Sequence, residues 1–587
     1  MTCNVDIGYT NELLWENVSC DISGKMILQK NCGSVRSGEM VAILGGSGAG
    51  KTSLLNALSG RMESTLSGKI LYNNSTRTEK EWLITCSFVE QEDLFIKTLT
   101  VYETIEFAAK LKLPKLSNIE RQNRINTVIA QLGLDKCKNT RVGDSCDKGI
   151  SGGEKKRLSI AIELIKMPDI LFLDEPTSGL DAFNAMNIVD CLNQISKNNN
   201  MIILMTIHQP RVDIVNMFDR IMLLSMGRTI WDGTLQDAIR HFETLGYKVP
   251  EMTNPVDFLL DISTVDFRTQ IKRKNSESRI DLFFDKWKEV KLTKSSVCTN
   301  STLKTSIASI GFKYWFQEFI VLLHRNLKEL FYDKDVIVGY ILVNTVIMLI
   351  MGILFRPLST DPSGIQNRFG LLFFVCVHLS YGIVIPNVVL FTQKRSMIIR
   401  ERTSGWYRSS TSYCAKIVSF FPIVVFISCI IALPLYWIVG LQANITKYLT
   451  FFAIVLVHAH TSSSLGILVS TFSKNVTMGQ VIAPMFLLTM MLFGGQLVNL
   501  NNITIVLRWM KYLSIIAYAN SAFVQNEFNG LQFDCPSCDG VTIVANQSLD
   551  FLSIGDCVLI NFMMGIAYLI IGYIAYHFYC IKRLNLI

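Results

Sequence analysis

The chain has 587 residues, half of them hydrophobic and 18% charged, with 56 Lys and Arg against 48 Asp and Glu. That length leaves room for about four compact units, and the composition excludes a disordered chain, a collagen-like repeat and a small disulfide scaffold. Residues 336–587 hold 14 basic and 7 acidic side chains, whereas 1–335 hold 42 and 41. The near-neutral first part has no electrostatic footprint for nucleic acid, and the oily second part reads as membrane-embedded. MTCNVDIGYT lacks the basic stretch and apolar run of a secretory signal, so the first part is expected in the cytosol. All but two of the 15 Cys lie in segments expected in the cytosol or in apolar runs, which suits a reducing compartment.

Residues 40–44 (MVAIL) read as a buried strand, followed by GGSGAGKT from Gly45 to Thr52 and the helical SLLNALSGR. Strand, glycine-rich loop and helix in this order are the context a phosphate loop requires; a chance glycine-rich turn is the ordinary alternative. Gly45, Gly46, Gly48 and Gly50, with Ser47 and Ala49 between them, let backbone N–H groups face a phosphate. Lys51 neutralises the β- and γ-phosphates, and the Thr52 hydroxyl is placed for Mg²⁺. Further on, ISGGEKKR contains the capping box Ser151-x-x-Glu154, so a helix begins there. Ser151, Gly152 and Gly153 can also present hydroxyl and N–H groups to an anion at that helix start. ILFLDEP (170–176) is a buried strand delivering Asp174, suited to Mg²⁺, and Glu175, suited to polarising a water. Acids at a strand end are common, and their place after a phosphate loop is what gives them weight. His208 ends the apolar MIILMTIHQP; a structural histidine and a γ-phosphate contact are both readings of it.

The polar stretch 265–310 reads as a linker, and 313–331 recovers a helical stripe of Trp315, Phe319, Leu322, Leu323, Leu327 and Leu330. Six long uncharged runs follow, at 336–355, 369–393, 417–446, 448–473, 475–507 and 557–581. Each reaches the ~20 residues that cross a bilayer as a helix. The stretch 512–526 is uncharged but too short to span, so a re-entrant or interfacial helix is expected there. Lys394, Arg395, Arg400, Arg402, Arg408 and Lys416 between the second and third runs, and Lys582 and Arg583 in the tail, put both segments and both termini in the cytosol.

In this order the elements resemble the nucleotide-binding domain of ABC transporters. Gly45–Thr52 is similar to the Walker A loop, Gln91 in FVEQEDLF to the Q-loop and Ser151–Glu154 to the signature motif. Ile170–Asp174 is similar to Walker B, Glu175 to the catalytic glutamate, Ser178–Asp181 to the D-loop and His208 to the switch histidine. A nucleotide domain before six spans, together with GKTSLLNALSGR, TIHQPR, NPVDFLLDI, IIRERTSGWYR and LFGGQLVN, resembles the G subfamily, the White-type half-transporters. The resemblance implies an α/β P-loop domain of ABC ATPase type at 1–264, a linker at 265–312 and a connecting helix at 313–335. An all-α six-helix membrane domain follows at 336–587, with its external loop at about 496–555.

The resemblance further implies ATP and Mg²⁺ as cofactors. Glu175, His208 and Gln91 would be catalytic, with Thr52, Gln91 and Asp174 at the metal. Gly45–Thr52, Ser151, Gly152, Gly153 and Asp181 would hold nucleotide, the signature residues acting on the partner's site in a homo- or heterodimer. The expected activity is ATP hydrolysis driving an amphipathic substrate, such as a lipid, sterol or small organic molecule, outward across a membrane; a regulatory subunit with a silent ATP site is the alternative. Cavity-lining candidates are His378, Phe373, Phe374 and Tyr381 in span two and Pro484, Met485, Leu492 and Phe493 in span five. Position 46 is Gly where the family often has Pro, and Asp333-Lys334-Asp335 replaces a common Arg-Asp-Pro. Cys535 and Cys538 in the external loop are expected oxidised, near the sequons at Asn502 and Asn546. An intrachain bond is favoured there, with bonds across a dimer axis the other reading.

Overall fold

Continuous apolar runs set the centre of the first unit. In the computed structural model the described residues are 11–22, 24–62, 65–76, 79–144, 148–292, 312–356, 358–499, 503–534 and 539–579. Cys535, Cys538 and Asn502 lie outside them. Contacts divide the chain into one unit from Met1–Tyr314 with Thr403–Trp406 and a second from Trp315–Arg402 with Tyr407–Leu584.

In the first unit, β3 (Met40–Leu44), β7 (Ile170–Leu173) and β8 (Ile202–Thr206) have every residue buried. That is the pattern of parallel strands covered on both faces. They sit in a six-stranded sheet of order β10-β9-β3-β8-β7-β6, with β6 at Cys86–Val89, β9 at Arg220–Ser225 and β10 at Arg228–Gly233. All neighbours are parallel except β9 and β10. A second, antiparallel sheet has the order β2-β1-β4-β5. Its strands are β1 (Glu12–Ile22), β2 (Lys25–Arg36), β4 (Thr65–Tyr72) and β5 (Ser75–Thr76).

Three helices start at the functional motifs: α1 (Lys51–Ser59), α2 (Gly152–Leu164) and α3 (Ala182–Asn199). Ser151 caps α2 reciprocally with Glu154, as its spacing requires. The expected linker at 265–312 needs correction. After α4 (Pro255–Ser263), residues Gln270–Leu292 form a 23-residue helix, α5. Ile280, Phe283 and Trp287 recur at helical spacing and are buried in the first unit, Trp287 at 5.1 Å from the ring of Trp231 and Phe283 at 5.0 Å from that of Phe242. Arg228 adds a 2.6 Å ion pair to Asp281. High overall polarity hid a stripe of three apolar anchors.

The second unit begins with α6 (Phe312–Tyr332), covering the expected stripe. Among the described residues five helices are long and apolar enough to cross a membrane. They are α7 (Lys334–Leu354), α8 (Pro362–Gln393), α10 (Ser409–Val439), α11 (Ile445–Phe472) and α14 (Ile554–Tyr579), with the short α9 (Arg395–Thr403) between α8 and α10. The run 475–507 is not one element. It folds as α12 (Val476–Leu492), 17 residues and about 26 Å long, the lower limit for a span. The chain turns at Gly494, where a Cβ would lie 2.9 Å from Phe373 Cε2, and Gly495 takes φ 81°. The short stretch after it becomes α13 (Ile515–Phe528), 14 residues with every one buried. Arg368 of α8 pairs with Glu527 of α13 at 3.2 Å, both almost fully enclosed. His378 is buried with Nε2 3.1 Å from Asn344 Oδ1, so its ring finds its partner within the unit.

Candidate functional site

The carboxyl end of β3 runs into a loop that only glycine can make at three positions. Gly45, Gly48 and Gly50 have φ of 157°, 75° and 100°, and a Cβ on Gly45 would stand 2.4 Å from Leu224 O. Gly46 is confined differently: its Cβ would lie 2.6 Å from Thr264 Oγ1. Lys51 opens α1, and its Nζ donates to Gly45 O at 2.8 Å and Gly46 O at 3.1 Å. Burial lowers its pKa, opposed by the carboxylates of Glu175 and Asp174.

The end of β7 brings its acids to the same place. Thr52 Oγ1 donates to Asp174 Oδ1 at 3.1 Å, and Thr206 Oγ1, from the end of β8, donates to the same oxygen at 2.6 Å. Thr206 in turn accepts from Glu175 N at 2.8 Å. Glu175 holds φ 45°, a left-handed conformation that costs a non-glycine residue about 1–3 kcal/mol and recurs at functional positions. Gln91 Nε2 donates to Glu175 Oε2 at 2.9 Å. His208 is exposed and shares with Glu175, Gly179 and Arg211 the wall of a cleft of about 540 Å³.

Two supporting residues escape a motif reading. Thr206 locks both carboxylate positions, and its signal was a hydroxyl ending an otherwise apolar strand, two residues before His208. Lys156 is buried on α2, where its Nζ donates to Gln91 O at 2.8 Å and pairs with Asp93 at 3.1 Å. It fastens the segment carrying Gln91 to the signature helix, a role no spacing announces.

Ser151, Gly152, Gly153 and Asp181 form a second cluster. Ser151 Oγ accepts from Glu154 N at 3.3 Å, and Ser151 N donates to Glu154 Oε2 at 2.8 Å. Burial raises the Glu154 pKa, but the bonds from Ser151 outweigh it and the net shift is downward. A Cβ on Gly153 would lie 3.3 Å from Asn184, the residue that donates to Asp181 at the start of α3. Bonds from the Asn184 side chain and then its backbone N–H lower the Asp181 pKa. Among the described residues these contacts run to one another and not to Gly45–Thr52. Ser151 and Gly152, at the start of α2, are exposed.

The oxygen set fits the expected metal. Thr52 and Asp174 offer one hydroxyl and one carboxylate at hydrogen-bond separation, which suits Mg²⁺ that keeps water and takes other ligands from phosphate. Among the described residues no group of three His, Cys, Asp or Glu forms a metal cage.

A phosphate loop and a carboxylate pair at the ends of parallel strands, on a chain whose second unit is a bundle of apolar helices, define an ATPase joined to a membrane domain. A family model described as "ABC transporter" matches residues 28–178 in the first unit, and one described as "ABC-2 type transporter" matches 317–528, almost all in the second and with Thr403–Trp406 in the first; another of that description matches 208–280, within the first unit. The chain is 31% identical to ABC transporter G family member 7 of Arabidopsis thaliana, over 92% of this chain and 77% of that protein. It is 33% identical to the broad substrate specificity ATP-binding cassette transporter ABCG2 of Bos taurus, over 90% and 83%. It is 30% identical to protein white of Drosophila melanogaster, over 94% and 82%. The chain therefore belongs to the ABC transporters of the G family, as a multi-pass integral membrane protein with a nucleotide-binding domain that hydrolyses ATP to drive transport.

Proposed function

We propose that two copies of this chain, or this chain and a related one, form a transporter that exports amphipathic molecules, with each ATP held by Gly45–Thr52 of one subunit and Ser151–Gly153 of the other. The observation that carries the reading is the hydrogen-bonded chain Gln91–Glu175–Thr206–Asp174–Thr52 beside the loop. Lys51 gives up its weak carbonyl contacts for the β- and γ-phosphates. Mg²⁺, held by Thr52 and Asp174 with Gln91 nearby, would supply charge neutralisation on the phosphate oxygens. Glu175, fixed by its backbone bond to Thr206, orients and polarises the attacking water. His208 reaches the γ-phosphate from the same cleft, and Asp181 stands at the start of α3 beside the signature residues. Separation of the two clusters within one chain favours completion of each site by a second subunit.

The basic segment 394–416 and the basic tail support a cytosolic nucleotide domain and cytosolic termini. The breadth named for the Bos taurus relative and the apolar helices favour a hydrophobic or amphipathic cargo. A silent ATP site is not favoured, because Lys51, Asp174, Glu175 and His208 are all present. ATP hydrolysis by the full chain in lipid vesicles tests the assignment. Glu175→Gln should cut turnover about 10²–10⁴-fold while ATP still binds. Turnover at the wild-type rate in that variant overturns the role given to Glu175.

A further inference from the structure

Two histidines on α11, two residues apart, are treated oppositely by the fold. His458 is fully enclosed, with Nε2 3.0 Å from both Ser380 Oγ and Cys376 O. A step of two residues turns about 200° around a helix, and His460 accordingly faces away. Its ring makes no hydrogen bond among the described residues. Phe421 of α10 meets it edge-on with centroids 6.5 Å apart, and Phe562 of α14 lies 5.9 Å away at 34°. With Ser463 and Ser464 the ring forms the polar part of a cavity of about 210 Å³ between α10, α11 and α14, otherwise walled by Ile417, Val418, Phe421, Val424, Ile467 and Leu569. No residue of α8 or α12 lines it.

An imidazole cannot stay unpaired there without cost. His460 is twelve residues from the nearer end of α11, at Phe472, or about 18 Å along the axis, too far for its ring to reach an interface. A polar group left unpaired in an apolar medium costs on the order of several kcal/mol, and an ionisable residue at that depth marks a functional position. A water would find the low end of the 2–4 polar partners it needs, but one water fills little of a space of about 210 Å³ with mostly apolar walls. The Ser464 hydroxyl is already donated to His460 O at 2.9 Å. What remains is the His460 ring and the proton of Ser463, whose Oγ accepts from Asn387 Nδ2 at 3.0 Å. These two groups lie one helical turn apart on one face, above walls of aliphatic side chains and the Phe421 ring. The cavity is smaller than a drug-sized site of ~300–1,000 Å³, so it takes one or two fused rings rather than a whole lipid.

We propose that this cavity is a binding site for an uncharged aromatic amphiphile dissolved in the bilayer, whose single hydroxyl or ring nitrogen bonds His460 and Ser463 while its ring packs between Phe421 and the aliphatic walls. The site is independent of the nucleotide cleft and of the spans expected to line a central cavity, so it stands whether or not the roles proposed above hold.

A photoreactive diazirine derivative of 2-naphthol, applied to the full-length wild-type protein in phosphatidylcholine nanodiscs and followed by mass mapping, tests it. Labels should concentrate in 417–424, 460–467 and around Leu569. Free 2-naphthol should compete about three- to tenfold better than naphthalene, which has the same rings and no hydrogen bond to give. His460→Phe keeps a ring and removes the polar atoms, and should erase that preference. Labels spread evenly over the apolar helices, or equal competition by naphthalene and 2-naphthol in the wild-type protein, would overturn the proposal and leave the cavity as a groove for acyl chains. The wild-type map decides even where the variant misfolds.

Discussion

Lys51 and Arg325 are both enclosed cations, and the chain treats them in contrary ways. Lys51 bonds only two backbone carbonyls, while the carboxylates of Asp174 and Glu175 stand nearby engaged with Thr52, Thr206 and Gln91. Arg325 of α6 forms a bidentate pair with Glu401 of α9, at 2.8 and 3.0 Å, and Tyr407 donates to the same carboxylate at 2.7 Å. Both partners of the second pair are nearly inaccessible to solvent. A charge meant for a ligand is left with contacts it can exchange; a charge meant to join two helices is met by a full counter-charge at once. The lesson is that the strength of a group's resting contacts, more than its burial, separates ligand-binding cations from structural ones.

The comparison breaks most visibly at the structural pair. Glu401→Gln leaves Arg325 enclosed without its counter-charge and should destabilise the second unit by about 3–5 kcal/mol, read as a lower thermal midpoint in detergent. Joint replacement, Arg325→Met with Glu401→Leu, should recover most of that loss. A midpoint unchanged by Glu401→Gln would place the pair outside the stabilising contacts. At the other pole, Lys51→Ala should cost nucleotide affinity on the order of 100-fold while barely moving the midpoint of the nucleotide-free protein, since only two charge-to-carbonyl bonds are given up.

A smaller effect sharpens the contrast at the loop itself. Gly46→Ala drives a Cβ toward Thr264, and should cost about 1–3 kcal/mol of stability or of ATP affinity. Thr264→Gly should restore it, and additive losses in the double variant would sever Gly46 from Thr264. Ser151→Ala removes only the cap of α2. Its cost in the isolated subunit should be about 1 kcal/mol, whereas ATP turnover in the assembled transporter should fall further if Ser151 also meets the partner's phosphate. Equal changes in stability and turnover would reduce Ser151 to a cap.

Legibility in the sequence followed the locality of the constraint. Gly45–Thr52 and Ser151–Glu154 could be read because a left-handed turn and a capping box each demand fixed residues within a few positions. Spans could be read because a bilayer demands unbroken apolar length. Thr206 and Lys156 could not, since each acts on a segment far away in the chain. The helix at Gln270–Leu292 was missed because three apolar anchors among many charges lower the average without spoiling the period. The end of α12 at Leu492 was missed because its stop is a packing event, Gly494 against Phe373, inside a stretch that is apolar throughout. His458 and His460 look alike in HAHTSSS; only the packing of α8, α10 and α14 around α11 tells them apart.

The buried helix Ile515–Phe528 bears on how the protein is made. A 14-residue segment with a carboxylate, Glu527, in its last turn lacks the length to enter the bilayer on its own hydrophobicity. Its counter-charge, Arg368, lies 159 residues earlier and has left the ribosome well before Glu527 is added. The segment therefore waits on its neighbours: α8 must already be seated, with its guanidinium exposed to an approaching acid, before the short helix can follow it in. Insertion of this part of the chain is a late docking step, and a lesion at Arg368 would be felt first as a failure of biogenesis rather than of transport.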